Sequence, residues 1–212
     1  MSSRENILTA ISRSIEEARN SPYRNGEIDK PPLPYSRPLL QQDLIDELLA
    51  RMAAVQMSVE RLDEFDEVPA AVGRYLAGQN ADILDVELDI SPQLRDLSWP
   101  DNKQISIGAA RPQTRFAVTA CLAAVAETGS ILMASSADHP VTLTFLPDYH
   151  IVVVRESQVV AYLEDAWALV RNTGVVPRAV NLNTGPSRTG DIEQAIEVGA
   201  HGPRAMHVLL VS

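Results

Sequence analysis

The sequence is poor in cysteine, since Cys121 is the single cysteine among its 212 residues. A disulfide within the chain needs two thiols, and four-thiolate zinc or iron–sulfur sites need four, so this chain alone can build neither. The G-x-G-x-x-G fingerprint of dinucleotide-binding proteins is also absent from the sequence. We therefore predict that the chain binds no metal or redox cofactor of its own.

The sequence also lacks a long apolar run and an excess of basic residues. No uninterrupted apolar stretch reaches about 18 residues, the length that a membrane helix needs. The N-terminal segment carries mixed charges without the apolar core of a secretory signal. The net charge is −10, which repels the phosphates of nucleic acids and of anionic membranes. We expect a cytoplasmic protein that binds no nucleic acid and inserts into no membrane.

The hydrophobic pattern divides the chain into an N-terminal extension and a larger domain. Apolar residues recur at helical spacing from Ile7 to Ala18 and again from Leu44 to Val55, with a proline-rich segment over 20–38 between them. From about residue 58, short helix-like and strand-like segments alternate. We predict N-terminal helices and a linker over 1–58, followed by one α/β domain over 59–212.

The domain is predicted to contain an open, mostly parallel sheet with helices on both faces. The pattern predicts helices over residues 66–77, 159–171 and 191–198. It predicts strands over residues 83–88, 104–107, 141–145, 150–154, 179–182 and 206–211. A β-hairpin is predicted within residues 117–134. The last strand, helix and strand have short connections, which favours a parallel pair joined by a right-handed crossover.

The turn TGPSRTGD at residues 184–191 is the clearest candidate ligand site. A glycine turn between a strand and a helix directs unpaired N–H groups toward the carboxyl edge of the sheet, where anions bind. Arg188 could pair with a carboxylate or a phosphate. The predicted anion-binding residues are Thr184, Gly185, Ser187, Arg188, Thr189, Gly190, Asp191 and, from the next turn, His201. Alternatively, Thr189 and Asp191 only cap the helix.

The segment AETGS at residues 126–130 contains a candidate catalytic carboxylate. A Thr-Gly turn between apolar runs is typical of a hairpin, and it places Glu127 close to the core. Burial there could raise the pKa of Glu127 and make it a base or a nucleophile. The alternative is a glutamate that stabilises the turn and points to water. The four histidines show no metal-binding spacing.

Four segments, taken in order, resemble the lactate-utilization protein C family of LUD-domain proteins. They are AETGS at 126–130, Leu146-Pro147 followed by HIVV at 150–153, TGPSRTGDIE at 184–193 and GAHGP at 199–203. The resemblance covers about residues 60–212 and the N-terminal helix. It implies a fold similar to the NagB, RpiA and CoA-transferase group, and membership of a three-protein system that oxidises L-lactate to pyruvate.

The same resemblance implies a division of labour among the proteins of that system. The partner proteins carry the iron–sulfur clusters, while this chain is a subunit without clusters that binds a small carboxylate or phosphate-bearing ligand. Two alternatives stay open. The chain could be a stand-alone ligand-binding or acyl-transferring enzyme that uses Glu127, because Glu127-x-Gly129 is similar to the nucleophile motif of CoA transferases. It could also be a scaffold subunit without chemistry.

Overall fold

The computed structural model describes residues 3–19, 37–40, 43–101, 104–190 and 196–212. The chain divides into two units, residues 1–37 and residues 38–212. The first unit contains helix α1 (Ser3–Arg19), whose Ile7, Ile11 and Ile15 side chains are about half exposed. No helix in the described part of the chain is both long and apolar enough to cross a bilayer.

The second unit is built on six parallel strands in the spatial order β1-β12-β7-β4-β2-β3. These strands are β1 (Ser58–Leu62), β2 (Leu88–Ile90), β3 (Ile105–Ile107), β4 (Phe116–Ala120), β7 (Tyr149–Arg155) and β12 (Ala205–Val211). The central strands are continuous apolar runs, as expected for a sheet that is covered on both faces. The predicted α/β class with an open, mostly parallel sheet is confirmed.

A second sheet of four strands lies in the order β8-β5-β6-β9. Its strands are β5 (Ala123–Val125), β6 (Ser130–Ala134), β8 (Val159–Val160) and β9 (Val180–Asn183). Strands β5 and β6 pair antiparallel, which confirms the predicted hairpin, and β9 pairs antiparallel with the other edge of β6.

Both faces of the six-stranded sheet are covered. Helix α3 (Val68–Gly78) packs with Ile151 and Val153 of β7 on one face. Helix α2 (Leu44–Ala54) packs with Val152 and Val154 on the other face, together with residues of the second sheet. Successive side chains of a strand point to opposite faces, so β7 contributes to both layers of the core. Helix α5 (Leu163–Asn172) covers the outer side of the second sheet.

Three local predictions are wrong in detail. Residues 141–145 were predicted as a strand but contain the helical turn α4 (Thr142–Phe145), because Pro140 suits a helix start and Leu143 is buried by packing. The strand expected over 83–88 begins only at Leu88. The helix predicted from residue 159 begins at Leu163, after β8.

The predicted crossover at the end of the chain is also wrong. Strand β9 belongs to the second sheet, while β12 lies between β1 and β7. Residues 196–198, predicted as the end of a helix, form strand β11 (Ile196–Val198). It pairs antiparallel with β10 (Arg188–Gly190), which lies within the predicted turn. Residues 191–195 of the predicted helix lie outside the described part of the chain. The β-branched residues Ile196 and Val198 suit a strand.

The turn between β5 and β6 requires glycine at position 129. Gly129 has a φ of +70°, and a Cβ at this position would lie 2.8 Å from the backbone carbonyl carbon of Arg51 in α2. Both the left-handed backbone and the close approach of α2 therefore exclude a side chain.

We expect Gly129→Ala to lower the free energy of unfolding by about 2–4 kcal/mol, because it combines backbone strain with a clash. Gly174→Ala is the matched control: its φ is +69°, but no atom lies within 4 Å of the added Cβ. The control should cost only about 1–2 kcal/mol of backbone strain. Urea unfolding of both variants makes the comparison, and equal losses would contradict the proposed contact with α2.

His150 is a fully buried histidine at the start of β7. Its Nε2 lies 2.8 Å from the Thr119 hydroxyl oxygen in β4. Burial lowers the pKa of His150 to about 3, and nearby His139 adds to the shift. The native state therefore holds His150 neutral at pH values where an unfolded chain protonates it.

This difference predicts that the protein becomes less stable as the pH is lowered. Below about pH 6.5 an unfolded chain protonates His150, whereas the native state keeps this histidine neutral down to about pH 3. The free energy of unfolding therefore falls by up to about 1.4 kcal/mol for each pH unit in this range. Urea unfolding between pH 7.5 and pH 5 should show a shallower decline for His150→Gln than for the unmodified chain. His201→Gln, at an exposed histidine, should keep the full decline. Equal slopes for His150→Gln and the unmodified chain would contradict this.

Candidate functional site

The structure brings two of the predicted site segments, AETGS and TGPSR, into contact. Strand β9 ends beside the start of β6, with Asn183 paired to Ile131. The hydroxyl of Thr184 consequently lies 2.7 Å from that of Ser130, and the Thr128 hydroxyl donates to Ser130 at 2.8 Å. A chain of three hydroxyls thus joins the β5–β6 turn to the loop that follows β9.

Both motif glycines lie against the end of α2. Gly185 has a φ of +98°, and a Cβ there would lie 2.6 Å from the carbonyl oxygen of Val55. Gly129 meets Arg51 in a similar way. Close backbone packing therefore accounts for these two glycines without a ligand.

Ser187 joins the loop to the GAHGP turn. Its N–H donates to the Pro203 carbonyl at 2.8 Å, and its carbonyl accepts from the Gly199 N–H at 3.0 Å. Its hydroxyl accepts from the His201 N–H at 3.3 Å. His201 therefore lies next to the loop, as predicted. The side chains of His201 and Arg188 are both exposed.

This junction lies at the amino edge of the six-stranded sheet, and not at the carboxyl edge as expected. The GAHGP turn leads directly into β12, and the carbonyl of Asp148, just before β7, accepts from the Arg204 N–H at 2.7 Å. The expectation failed because β9 belongs to the second sheet.

The described residues at this junction belong to a strand, and they include no helix start. Thr189 and Gly190 belong to β10, and Asp191 lies outside the described residues. Anion binding by Thr184, Gly185, Ser187, Arg188 and their neighbours stays a prediction.

Glu127 lies in the turn after β5. Its backbone N–H donates to the carbonyl of Ala161 at 3.1 Å, and the residue is half-buried. It lines neither of the two cavities described next. Its catalytic role stays a prediction.

A cleft at the carboxyl edge of the six-stranded sheet was not predicted. Two cavities, of about 210 Å³ and about 250 Å³, share the lining residues Gln93 and Cys121. Arg155 ends β7, Cys121 follows β4 and Gln93 follows β2, so the lining comes from three neighbouring strands. Open α/β sheets bind ligands at this edge. We call this feature the carboxyl-edge cleft and define it by Gln93, Cys121, His139, Arg155 and Gln158.

Arg155 provides the charge of the cleft. Its guanidinium carbon lies 4.1 Å from the centre of the Phe65 ring. The Gln158 side chain donates to the Cys121 carbonyl at 2.7 Å and accepts from the Arg155 N–H at 2.9 Å, which holds the two strand ends together. Burial raises the pKa of the Cys121 thiol to about 12, so this thiol is protonated at neutral pH and is a weak nucleophile.

His139 lies on the other side of the cleft, in the loop between β6 and α4. It is only 4% exposed, and its Nε2 has no hydrogen-bond partner among the residues that the structure describes. Burial lowers the pKa of His139, which keeps the imidazole neutral at pH 7.

Sequence reasoning missed the cleft because its residues share no motif. They come from separate loops, and no spacing connects them. The one available signal was position: Cys121 and Arg155 each lie at the end of an apolar strand-like run, where ligand-binding residues of α/β sheets are found.

Comparison with known proteins shows which proteins this chain is similar to. Residues 45–211 match the family profile of the LUD domain. The chain is 28% identical over 215 residues to lactate utilization protein C of Deinococcus radiodurans, covering 97% of this chain and 93% of that protein. It is 34% identical over 104 residues to lactate utilization protein C of Bacillus subtilis, covering 47% of this chain and 43% of the relative.

A solved structure supports the fold. The crystal structure of a DUF162 family protein from Deinococcus radiodurans superposes with a TM-score of 0.63 at 19% identity, covering 82% of this chain and 100% of the other. The resemblance inferred from the four sequence segments is confirmed. Since the profile spans most of the sequence, this chain belongs to the LUD domain family.

Proposed function

We propose that this chain acts in lactate utilization, as the subunit without clusters of a bacterial system that oxidises L-lactate to pyruvate. The observation that carries the proposal is the similarity to a lactate utilization protein C over nearly the whole length of both proteins. The partners in this proposal are iron–sulfur proteins, and the chain itself binds a small anionic ligand.

The cysteine content supports this division of labour. Oxidation of lactate to pyruvate releases two electrons, which an acceptor must take up. Iron–sulfur clusters are held mainly by cysteine thiolates, usually four of them. This chain has one cysteine, and its buried thiol has a pKa raised to about 12. The proposal therefore places the clusters on the partner proteins.

Deletion of the gene tests the proposal in the source organism. We expect the deletion strain to lose growth on L-lactate while growth on pyruvate persists, and the tagged chain to co-purify with iron–sulfur proteins that show their visible absorption. Normal growth on lactate, or a tagged chain that recovers no iron–sulfur protein, would contradict the proposal. Complementation of the deletion strain with Glu127→Gln tests the alternative that the chain is an enzyme using Glu127. If this variant failed to restore growth on L-lactate, an acyl-transfer role for Glu127 would be favoured.

The first unit offers a surface for partner contact. Ile7, Ile11 and Ile15 repeat every fourth residue along α1, so they form one apolar stripe, and all three are at least half exposed. Exposed apolar stripes of this kind often pack against another protein. We place contact with the partner proteins on this stripe.

We expect a triple replacement of Ile7, Ile11 and Ile15 by serine to reduce co-purification of the iron–sulfur partners by about tenfold or more, because three apolar anchors are lost. The melting temperature of the α/β unit should not change. Val176→Ser, which removes an apolar side chain that is 92% exposed in another part of the chain, is the control. Full partner recovery with the triple variant would exclude this surface.

A further inference from the structure

We propose that the carboxyl-edge cleft binds a small hydroxy- or oxo-monocarboxylate, the chemical class of lactate and pyruvate, with its carboxylate on Arg155. This inference rests on the proposed function for the choice of class. The site itself rests on the charge, the exposed amide of Gln93 and the size of the cleft.

The charge of the cleft selects an anion. Among the described residues that line the two cavities, Arg155 is the one charged side chain, and no carboxylate lines either cavity. Arginine remains protonated at all physiological pH values. Its position over the Phe65 ring occupies the face of the guanidinium, while the N–H groups lie in its plane, where a carboxylate binds.

The charge of Arg155 lies near Cys121. Its positive charge is one of the influences that partly offset the rise in the pKa of the Cys121 thiol, and Cys121 lines both cavities. The structure describes no salt bridge between Arg155 and a carboxylate of residues 3–19, 37–40, 43–101, 104–190 or 196–212. A ligand carboxylate would therefore meet a cation that no described acidic side chain neutralises.

Gln93 supplies a hydrogen-bonding group inside the cleft. Its side chain is exposed and lines both cavities, including the one that Arg155 lines. A glutamine amide can donate to a carbonyl oxygen or accept from a hydroxyl group, so it can bond either oxygen substituent of the proposed ligand class.

The size of the cleft selects a small acid. The cavity that Arg155 lines has about 250 Å³, and its other lining residues include Phe65, Gln93 and Gln158. Sites for drug-sized ligands have roughly 300–1,000 Å³. An acid of a few carbon atoms therefore fits this space better than a nucleotide or coenzyme A does.

Isothermal titration calorimetry on the purified full chain tests the assignment. The probes are L-lactate, pyruvate, propionate and inorganic phosphate. We expect saturable binding of lactate or pyruvate, and binding of propionate about tenfold weaker because it has no second oxygen substituent. Arg155→Gln should weaken lactate or pyruvate binding by about tenfold or more. Arg115→Gln is the matched control, since its guanidinium also lies over a ring, Phe116, but at the amino edge of the sheet.

A second variant tests the role of the oxygen substituent. Gln93→Ala changes an exposed side chain, so the fold should persist, and circular dichroism checks this. The variant should bind lactate and propionate with nearly equal affinity.

Four results would overturn the assignment. The first is that Arg155→Gln binds lactate and pyruvate as well as the unmodified chain does, and the second is that Arg155→Gln and Arg115→Gln lose the same affinity. The third is that only Arg188→Ala loses affinity for these acids, and the fourth is that the folded chain binds none of them. Growth on L-lactate remains an independent readout. A growth defect in the deletion strain without acid binding would remove this ligand assignment only, whereas acid binding without a growth defect would remove the proposed function.

Discussion

The six-stranded parallel sheet is apolar on both faces, and the rest of the second unit follows from the need to cover them. In β7, the consecutive residues Ile151–Val154 are all buried although they alternate between faces. A sheet of this kind cannot leave either face in water. Helix α3 covers one face, while α2 and the second sheet share the other, so α2 is as necessary to the sheet as α3.

This shared cover explains why the glycine motifs look functional in the sequence. Helix α2 and the second sheet must approach each other closely to cover one face together. At the contact, α2 lies so near the β5–β6 turn and the loop after β9 that Gly129 and Gly185 have no room for a Cβ. A glycine-rich turn beside a helix can therefore mark a packing contact as well as a phosphate-binding loop.

Predictions from the sequence succeeded where the signal is local. The apolar periodicity of α2 and α3 and the continuous apolar runs of β7 and β12 depend on burial, which the pattern of residues records directly. The placement of β9 failed, since its residues do not say which sheet they join, and the partner strand β6 lies far away in the sequence. The error then moved the predicted ligand loop to the wrong edge of the sheet.

The carboxyl-edge cleft was invisible for a related reason. Gln93, Cys121 and Arg155 become neighbours only because β2, β4 and β7 are adjacent in the sheet, and strand order cannot be read from chain order. In the described residues, the side chains of Arg51, Arg61, Arg74 and Arg111 each pair with a carboxylate. Arg155 lies over a neutral ring instead.

That difference matters because the chain carries a net charge of −10. Most of such a surface repels anions, so an anionic ligand needs a cation that is not already paired with a carboxylate. An arginine that already has a carboxylate partner cannot serve, because its charge is largely cancelled at short range. The guanidinium at the end of β7 is stacked on a ring, exposed and not paired with a described carboxylate, so it is available to an anionic ligand.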